Sequence, residues 1–206
     1  MTSQTVEVEG REISLSNLDK VLYPGSGTTK AEVIDYYRAV APAVLPYLRG
    51  RPLTMKRYPD GIDRPPFFEK RCPVWRPDWL ATASVWSKSN GHHIDYCLLN
   101  DLPSLVWASN LASLELHTML AHQDDPERPS MIVFDLDPGP GTGLAECARV
   151  AVWIGEVFDT LDLTTVVKAS GSKGLHLHVP LNTPVSYERT KPFAHALAQL
   201  VERQHP

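Results

Sequence analysis

The sequence has no apolar run long enough to cross a bilayer, and its opening, MTSQTVEVEG, has neither a basic start nor an apolar core. The expectation is therefore a chain with no membrane span and no secretory signal. Cysteine is scarce. Cys72, Cys97 and Cys147 are odd in number and form no Cys-x-x-Cys pair, which argues against a disulfide framework and a standard zinc knuckle. Few cysteines also fit a reducing cytoplasm. A basic excess is missing too: 20 Lys and Arg stand against 24 Asp and Glu, for a net charge of −4. That speaks against a uniformly basic nucleic-acid binder but leaves room for a local basic groove. Internal repeats and low-complexity tracts are absent.

What is present fits a folded domain. The 206 residues are 43% hydrophobic and 21% charged, enough to build a core in one domain. The 18 prolines divide the chain into short elements. Residues 5–15 predict a hairpin turning at Gly10. Thr29-Lys30-Ala31-Glu32 is a capping-box pattern opening a helix with Val33, Tyr37, Val40 and Val44 on one face. Pro42 and Pro46 are expected to kink or end it. Leu53 to Tyr58 reads as a strand, and the Pro- and aromatic-rich stretch 59–82 as a long surface loop. A helix is expected from Asp101-Leu102-Pro103 to about Ser113. From residue 131 the pattern is strand, helix, strand, strand, helix, an α+β (α/β-like) order of mixed sheets with flanking helices.

Two motifs carry chemistry. In Ile132-Val133-Phe134-Asp135-Leu136-Asp137 the apolar residues share one strand face and Asp135 and Asp137 the other, with Cα atoms roughly 6.5–7 Å apart. Two carboxylates so placed can converge on one hard cation, Mg2+ or Mn2+. Pro138-Gly139 leaves them at the carboxyl edge of the strand, where ligands bind in α/β sheets. A solvated Asp-x-Asp that caps the next turn remains the plain alternative. A haloacid-dehalogenase-type phosphatase shares the motif, but its Thr or Val two residues on is Gly139 here. A metal-dependent glycosyltransferase lacks its upstream nucleotide-sugar fold. The second motif, Ser170-Gly171-Ser172-Lys173-Gly174, sits between two strands, where backbone N–H groups and a lysine can face an anion. Taken alone, these residues read better as an ordinary hairpin turn, because Gly-rich turns are common. His176 and His178 follow on the face opposite Leu175, Leu177 and Val179. His93, Asp95 and Cys97 could share a strand face, but they fall short of a zinc motif.

FDLDPG (134–139) and SGSKGLHLHVPL (170–181), with NLDKVLYP, TTKAEVIDYY, RPLTMKRYPDG, FFEK and LASLELH before them in order, resemble the polymerase module of bacterial ligase D. That module is a primase-polymerase of the archaeo-eukaryotic primase superfamily and works in non-homologous end joining. The resemblance implies one primase-polymerase-like domain over 1–206, with a hairpin and helix region to about residue 50 and a catalytic core after it. It implies a nucleotidyltransferase that adds nucleotides, by family preference ribonucleotides, to DNA 3′ ends. Asp135 and Asp137 are then two of three metal carboxylates. Ser170, Lys173, Gly174 and His176 match the nucleotide-binding turn and strand. Lys56 and His117 match residues at the incoming nucleotide. Phe67 and Phe68 match an aromatic pair stacking on template DNA, and Lys20 and Lys30 the pair that holds a 5′-phosphate. As plain alternatives, Lys20 and Lys30 are surface lysines, Phe67 and Phe68 a buried anchor, and His117 a core histidine. The implied partners are DNA ends or gaps, nucleoside triphosphates, a ligase and an end-binding protein, in the cytoplasm at the nucleoid. The family's third carboxylate lies on a later strand than any here, so the core is expected to be incomplete at its carboxyl end. A DNA-end-binding fragment without catalysis is the alternative.

Overall fold

The computed structural model describes residues 3–205; residues 1, 2 and 206 of the expected domain lie outside them. The chain forms two compact units, Met1–Met119 and Leu120–Pro206. Among the described residues no helix is long and apolar enough to cross a membrane.

The first unit opens with the hairpin β1 (Ser3–Val8) and β2 (Arg11–Ser16), turning at Glu9-Gly10, both at positive φ. Short strands β3 (Val21–Tyr23) and β4 (Thr28–Thr29) pair and lead into α1 (Lys30–Leu48). The capping box forms: the Glu32 amide donates to Thr29 Oγ1 while the Thr29 amide donates to Glu32 Oε2. Contrary to expectation, α1 does not end at its prolines. Ala41, Leu45 and Leu48 pack into the core, while Pro42 and Pro46 sit on the exposed side. Water can satisfy the carbonyls that lose their N–H partners there, so core burial carries the helix through.

The main sheet of this unit holds β5 (Leu53–Arg57), β6 (Phe67–Glu69), β7 (Thr82–Ser87), β8 (His92–Cys97) and β9 (Ser113–Thr118), with α2 (Leu102–Asn110) before the last. β5 is the hub and pairs with β6, β8 and β9. The stretch 59–82 is thus not only loop: β6 lies within it. A core of Leu53, Met55, Leu99, Leu105, Trp107 and neighbours lies under α1 and α2.

A second correction concerns cysteine. Cys72 and Cys97 form a disulfide across 25 residues, with Cα atoms 4.9 Å apart. The Cys72 amide donates to the Asp95 carbonyl at 2.7 Å, which brings residue 72 alongside β8. Local spacing rules cannot see a pair that tertiary structure brings together. Cys97 is thereby removed as a partner for His93 and Asp95, and Cys147 is free and buried.

The second unit is a three-stranded antiparallel sheet, ordered β10 (Met131–Leu136), β12 (Leu175–Pro180), β11 (Val166–Ala169), with α3 (Leu144–Asp159) and α4 (Tyr187–Gln204). Alternation decides its faces. Ile132, Phe134, Leu177 and Val179 pack with Ile154, Phe158, Leu197 and Val201 of the helices. The opposite face carries Asp135, His176 and His178.

Candidate functional site

In the second unit, register sets the site. Asp135 lies opposite His176, and His176 opposite Lys168, so an acid, an imidazole and an ammonium form one row across β10, β12 and β11. His176 Nε2 approaches Asp135 Oδ1 at 3.3 Å. Asp135 and Asp137 are both exposed, two residues apart at the end of β10. Lys168 was not singled out from sequence, although its alternation with Val167 and register with His176 place it on this face.

The Ser170–Gly174 turn is seated against the end of β10, beside Asp137. The Ser170 amide donates to the Gly174 carbonyl at 3.1 Å, and Ser170 Oγ accepts from the amides of Ser172 and Gly174 at 3.3 and 3.2 Å. The Ser170 hydroxyl therefore shapes the turn, and Lys173 stands exposed at its tip. Gly174 is required for steric reasons: a Cβ there would lie 2.2 Å from the Leu136 carbonyl oxygen and 2.7 Å from Asp137 Oδ1. This close approach brings the turn beside Asp137. His178, next along β12, has its Nδ1 3.4 Å from Met131 Sδ, and burial lowers its pKa, helped by Lys168 and His176.

In the first unit, Phe68, Lys56 and Glu115 form a row across β6, β5 and β9. Lys56 Nζ donates to Glu115 Oε1 at 2.7 Å and lies 5.5 Å from the rings of both Phe68 and Tyr58. Tyr58 OH donates to the same carboxylate oxygen. His117, two residues along β9, contacts Glu115 Oε2 at 3.0 Å and the Phe68 ring at 5.6 Å. Sequence reading singled out Lys56, His117 and Phe68, which the structure brings together, but not Tyr58 and Glu115, which bond to them. Phe67 faces the other way, with Arg57 5.1 Å from its ring centroid. Both rings of the pair are exposed, at 44% for Phe67 and 62% for Phe68, so a core anchor is ruled out.

Lys20 and Lys30 are also brought together. The Lys30 amide donates to the Lys20 carbonyl at 2.8 Å, at the N-terminus of α1. Lys20 Nζ pairs with Asp60 at 2.7 Å, and Lys30 Nζ donates to the Asn110 carbonyl at 2.8 Å. Lys30 is buried, not a surface lysine. Burial, then Lys20 and Arg57, lower its pKa to about 8. The site thus gathers two lysines at a helix N-terminus, one of them paired with the Asp60 carboxylate.

Comparison with known proteins follows the same lines. Residues 29–206 match the LigD primase-polymerase domain family. The multifunctional non-homologous end joining protein LigD of Mycolicibacterium smegmatis is 41% identical over 196 residues, which cover 94% of this chain and 26% of that protein. The bifunctional non-homologous end joining protein LigD of Bacillus subtilis is 30% identical over 196 residues, covering 95% and 31%. Among solved structures, the polymerase domain of Mycobacterium tuberculosis ligase D in complex with DNA superposes with a TM-score of 0.86 at 39% identity, covering 94% of this chain and 70% of that one. The chain thus spans about a quarter to a third of the length of these curated relatives.

Proposed function

This chain belongs to the LigD primase-polymerase domain family, and from that premise we propose that it is a DNA end-joining polymerase, a nucleotidyltransferase that extends DNA 3′ ends at gaps and breaks. The observation that carries this reading is the seating of the Ser170–Gly174 turn against Asp137, beside the exposed Asp135–His176–Lys168 row. A nucleotidyl transfer site needs carboxylates for a divalent cation and cationic groups for phosphates within one constellation.

The donor set fits a hard cation in part. Asp135 and Asp137 offer exposed carboxylate oxygens to Mg2+ or Mn2+, leaving other coordination positions for water and triphosphate oxygens. Such a cation, when bound, would lower the pKa of a 3′-hydroxyl and stabilise the leaving pyrophosphate. The protein's own groups do the rest. In the second unit Lys173 and His176, and in the first unit Lys56 and His117, each offer charge and hydrogen bonds to phosphate groups of a nucleotide. Lys20 and Lys30 hold the 5′-phosphate on the far side of a gap. Phe67 and Phe68 offer faces on which any base can stack, as end joining without sequence preference requires. Ribonucleotides are the proposed substrate, with a ligase and an end-binding protein as partners in the cytoplasm.

A second reading, end binding without chemistry, is favoured by one observation. Among the described residues no group of three His, Cys, Asp or Glu side chains gathers to hold a metal ion. Primer extension on gapped DNA with Mn2+, run beside a binding assay on the same DNA, separates the two. Templated addition that stops on chelation supports the polymerase. Tight gap binding without addition supports the second reading.

A further inference from the structure

We propose that Glu115 is a positioning residue that holds Lys56 and His117 as one preset pair for the phosphates of a nucleoside triphosphate. The inference rests on the reading above, in which Lys56 and His117 meet those phosphates.

A carboxylate is an unexpected neighbour for groups that receive a polyanion, because it repels the ligand. Stability does not explain it either, since partly exposed ion pairs contribute little. Its bonding pattern does. One carboxylate takes three donors: Lys56 Nζ and Tyr58 OH on Oε1, and His117 Nε2 on Oε2. Burial pushes the Glu115 pKa up, but hydrogen bonds from Lys56, Tyr58 and His117 outweigh it and hold the group below its usual value. The carboxyl is therefore ionised at neutral pH, and an ionised carboxylate only accepts. His117 must then donate through Nε2–H, which fixes the ring orientation; toward a phosphate oxygen, itself an acceptor, Nδ1 serves as a second N–H donor.

Lys56 is fixed in the same way. Its ammonium donates to Glu115, hydrogen-bonds Tyr58 as well and lies 5.5 Å from the rings of Tyr58 and Phe68, with an N–H group left for a further acceptor. Lysine loses more rotamer freedom on being ordered than most side chains. A partner that orders it in advance removes that loss from the binding step. Lys56 opposite Glu115 in the β5–β9 register and His117 two residues along the same face make the arrangement a property of the sheet.

The sign of a substitution separates positioning from simple charge. If Glu115 only repels the ligand, Glu115→Ala must tighten triphosphate binding. If it positions, Glu115→Ala must weaken it. The test uses the whole chain with a fluorescent ATP analogue and Mn2+, and long-range 1H–15N spectra of His117. Positioning predicts roughly tenfold weaker binding in Glu115→Ala, the scale of one well-aligned charge-assisted bond, and loss of the hydrogen-bonded Nε2–H signal of His117. Glu115→Gln, nearly isosteric, should keep part of the affinity through its amide oxygen and keeps the test decisive if the alanine variant fails to fold. Equal or tighter binding in both variants, with Lys56→Ala weakened, overturns the inference alone. An unchanged His117 Nε2–H signal in both variants overturns it as well. Wild-type binding in Lys56→Ala, or none in the wild type, removes the underlying reading and this inference with it.

Discussion

Gly174→Ala is the sharpest local perturbation the site offers. A Cβ at this position would lie 2.2 Å from the Leu136 carbonyl oxygen and 2.7 Å from Asp137 Oδ1. Ordinary carbon contacts are about 3.5 Å, so the strand end must retreat by about 1 Å. Backbone oxygen cannot swing aside as a side chain can. Leu136 is paired with Leu175, the residue after the glycine, so retreat strains the last rung of the β10–β12 ladder. Overpacking of this kind costs about 1–3 kcal/mol, and a weakened rung adds about 1 kcal/mol. The sum, about 2–4 kcal/mol, corresponds to a fall of roughly 4–15 °C in Tm for a chain of this size. The functional loss should be larger than stability alone implies, because Asp137 is displaced directly. Misplacing a group that orients a metal ligand costs roughly 10–100-fold in affinity. Gly171→Ala is the control: its φ of +88° strains any side chain, but nothing lies within 4 Å of the new Cβ. That variant should lose some stability and keep its Mn2+ affinity. Thermal melts and Mn2+ titration followed by electron paramagnetic resonance read both effects. Wild-type Mn2+ affinity in Gly174→Ala would refute the claim that this glycine seats the turn beside a metal carboxylate.

Other perturbations bear on the remaining contacts. Asp135→Ala with Asp137→Ala should abolish Mn2+ binding while leaving or raising Tm, because two like charges are removed; equal Mn2+ affinity would sink the assignment. Gapped DNA bearing a 5′-phosphate should bind more tightly than the 5′-hydroxyl form, and Lys20→Ala with Lys30→Ala should erase the difference. Because Lys30 has its pKa lowered to about 8, the phosphate preference should fade as pH rises through that value. The same shift means that the folded state gives up its proton first, so Lys30 makes stability rise with pH between about 8 and 10.5. A pH-independent preference would remove Lys30 from the phosphate site. Phe68→Ala should cost roughly 1–3 kcal/mol of DNA binding with little change in Tm, and the reverse pattern would make it a structural residue. Reducing the Cys72–Cys97 bond, which closes a 25-residue separation, should cost about 3.5 kcal/mol on loop entropy, measured by denaturant melts with and without reductant.

Period and local signals made much of this structure legible. Asp135 and Asp137 could be read because apolar residues alternate with them, and α1 because Thr29 and Glu32 form a capping box. The β7–β8 hairpin was readable but not read: Asn90-Gly91 is a strong turn signal between alternating segments. Other features depend on long-range register. Glu115 in LASLELH looks like any outward strand residue until β9 pairs with β5 and sets it opposite Lys56. Cys72 and Cys97 meet because the fold lays residue 72 alongside β8, where the Cys72 amide donates to the Asp95 carbonyl. Phe67 and Phe68 point to opposite faces of β6, and its place at the sheet edge leaves both rings exposed, which no local pattern announces. Pro42 and Pro46 mislead for a different reason, since the rule against helical proline is set by its cost and the core face of α1 outweighs it.

The central claim is that Asp135 and Asp137 hold the cation for nucleotidyl transfer at DNA ends. Mn2+-dependent extension of a 3′ end across a gap with a 5′-phosphate, compared between the wild type and Asp135→Asn with Asp137→Asn, tests it most directly. The account predicts templated addition by the wild type and none by the double variant, with gap binding unchanged in both. Addition that survives in the double variant would contradict it, as would a wild type that binds the gap but incorporates nothing.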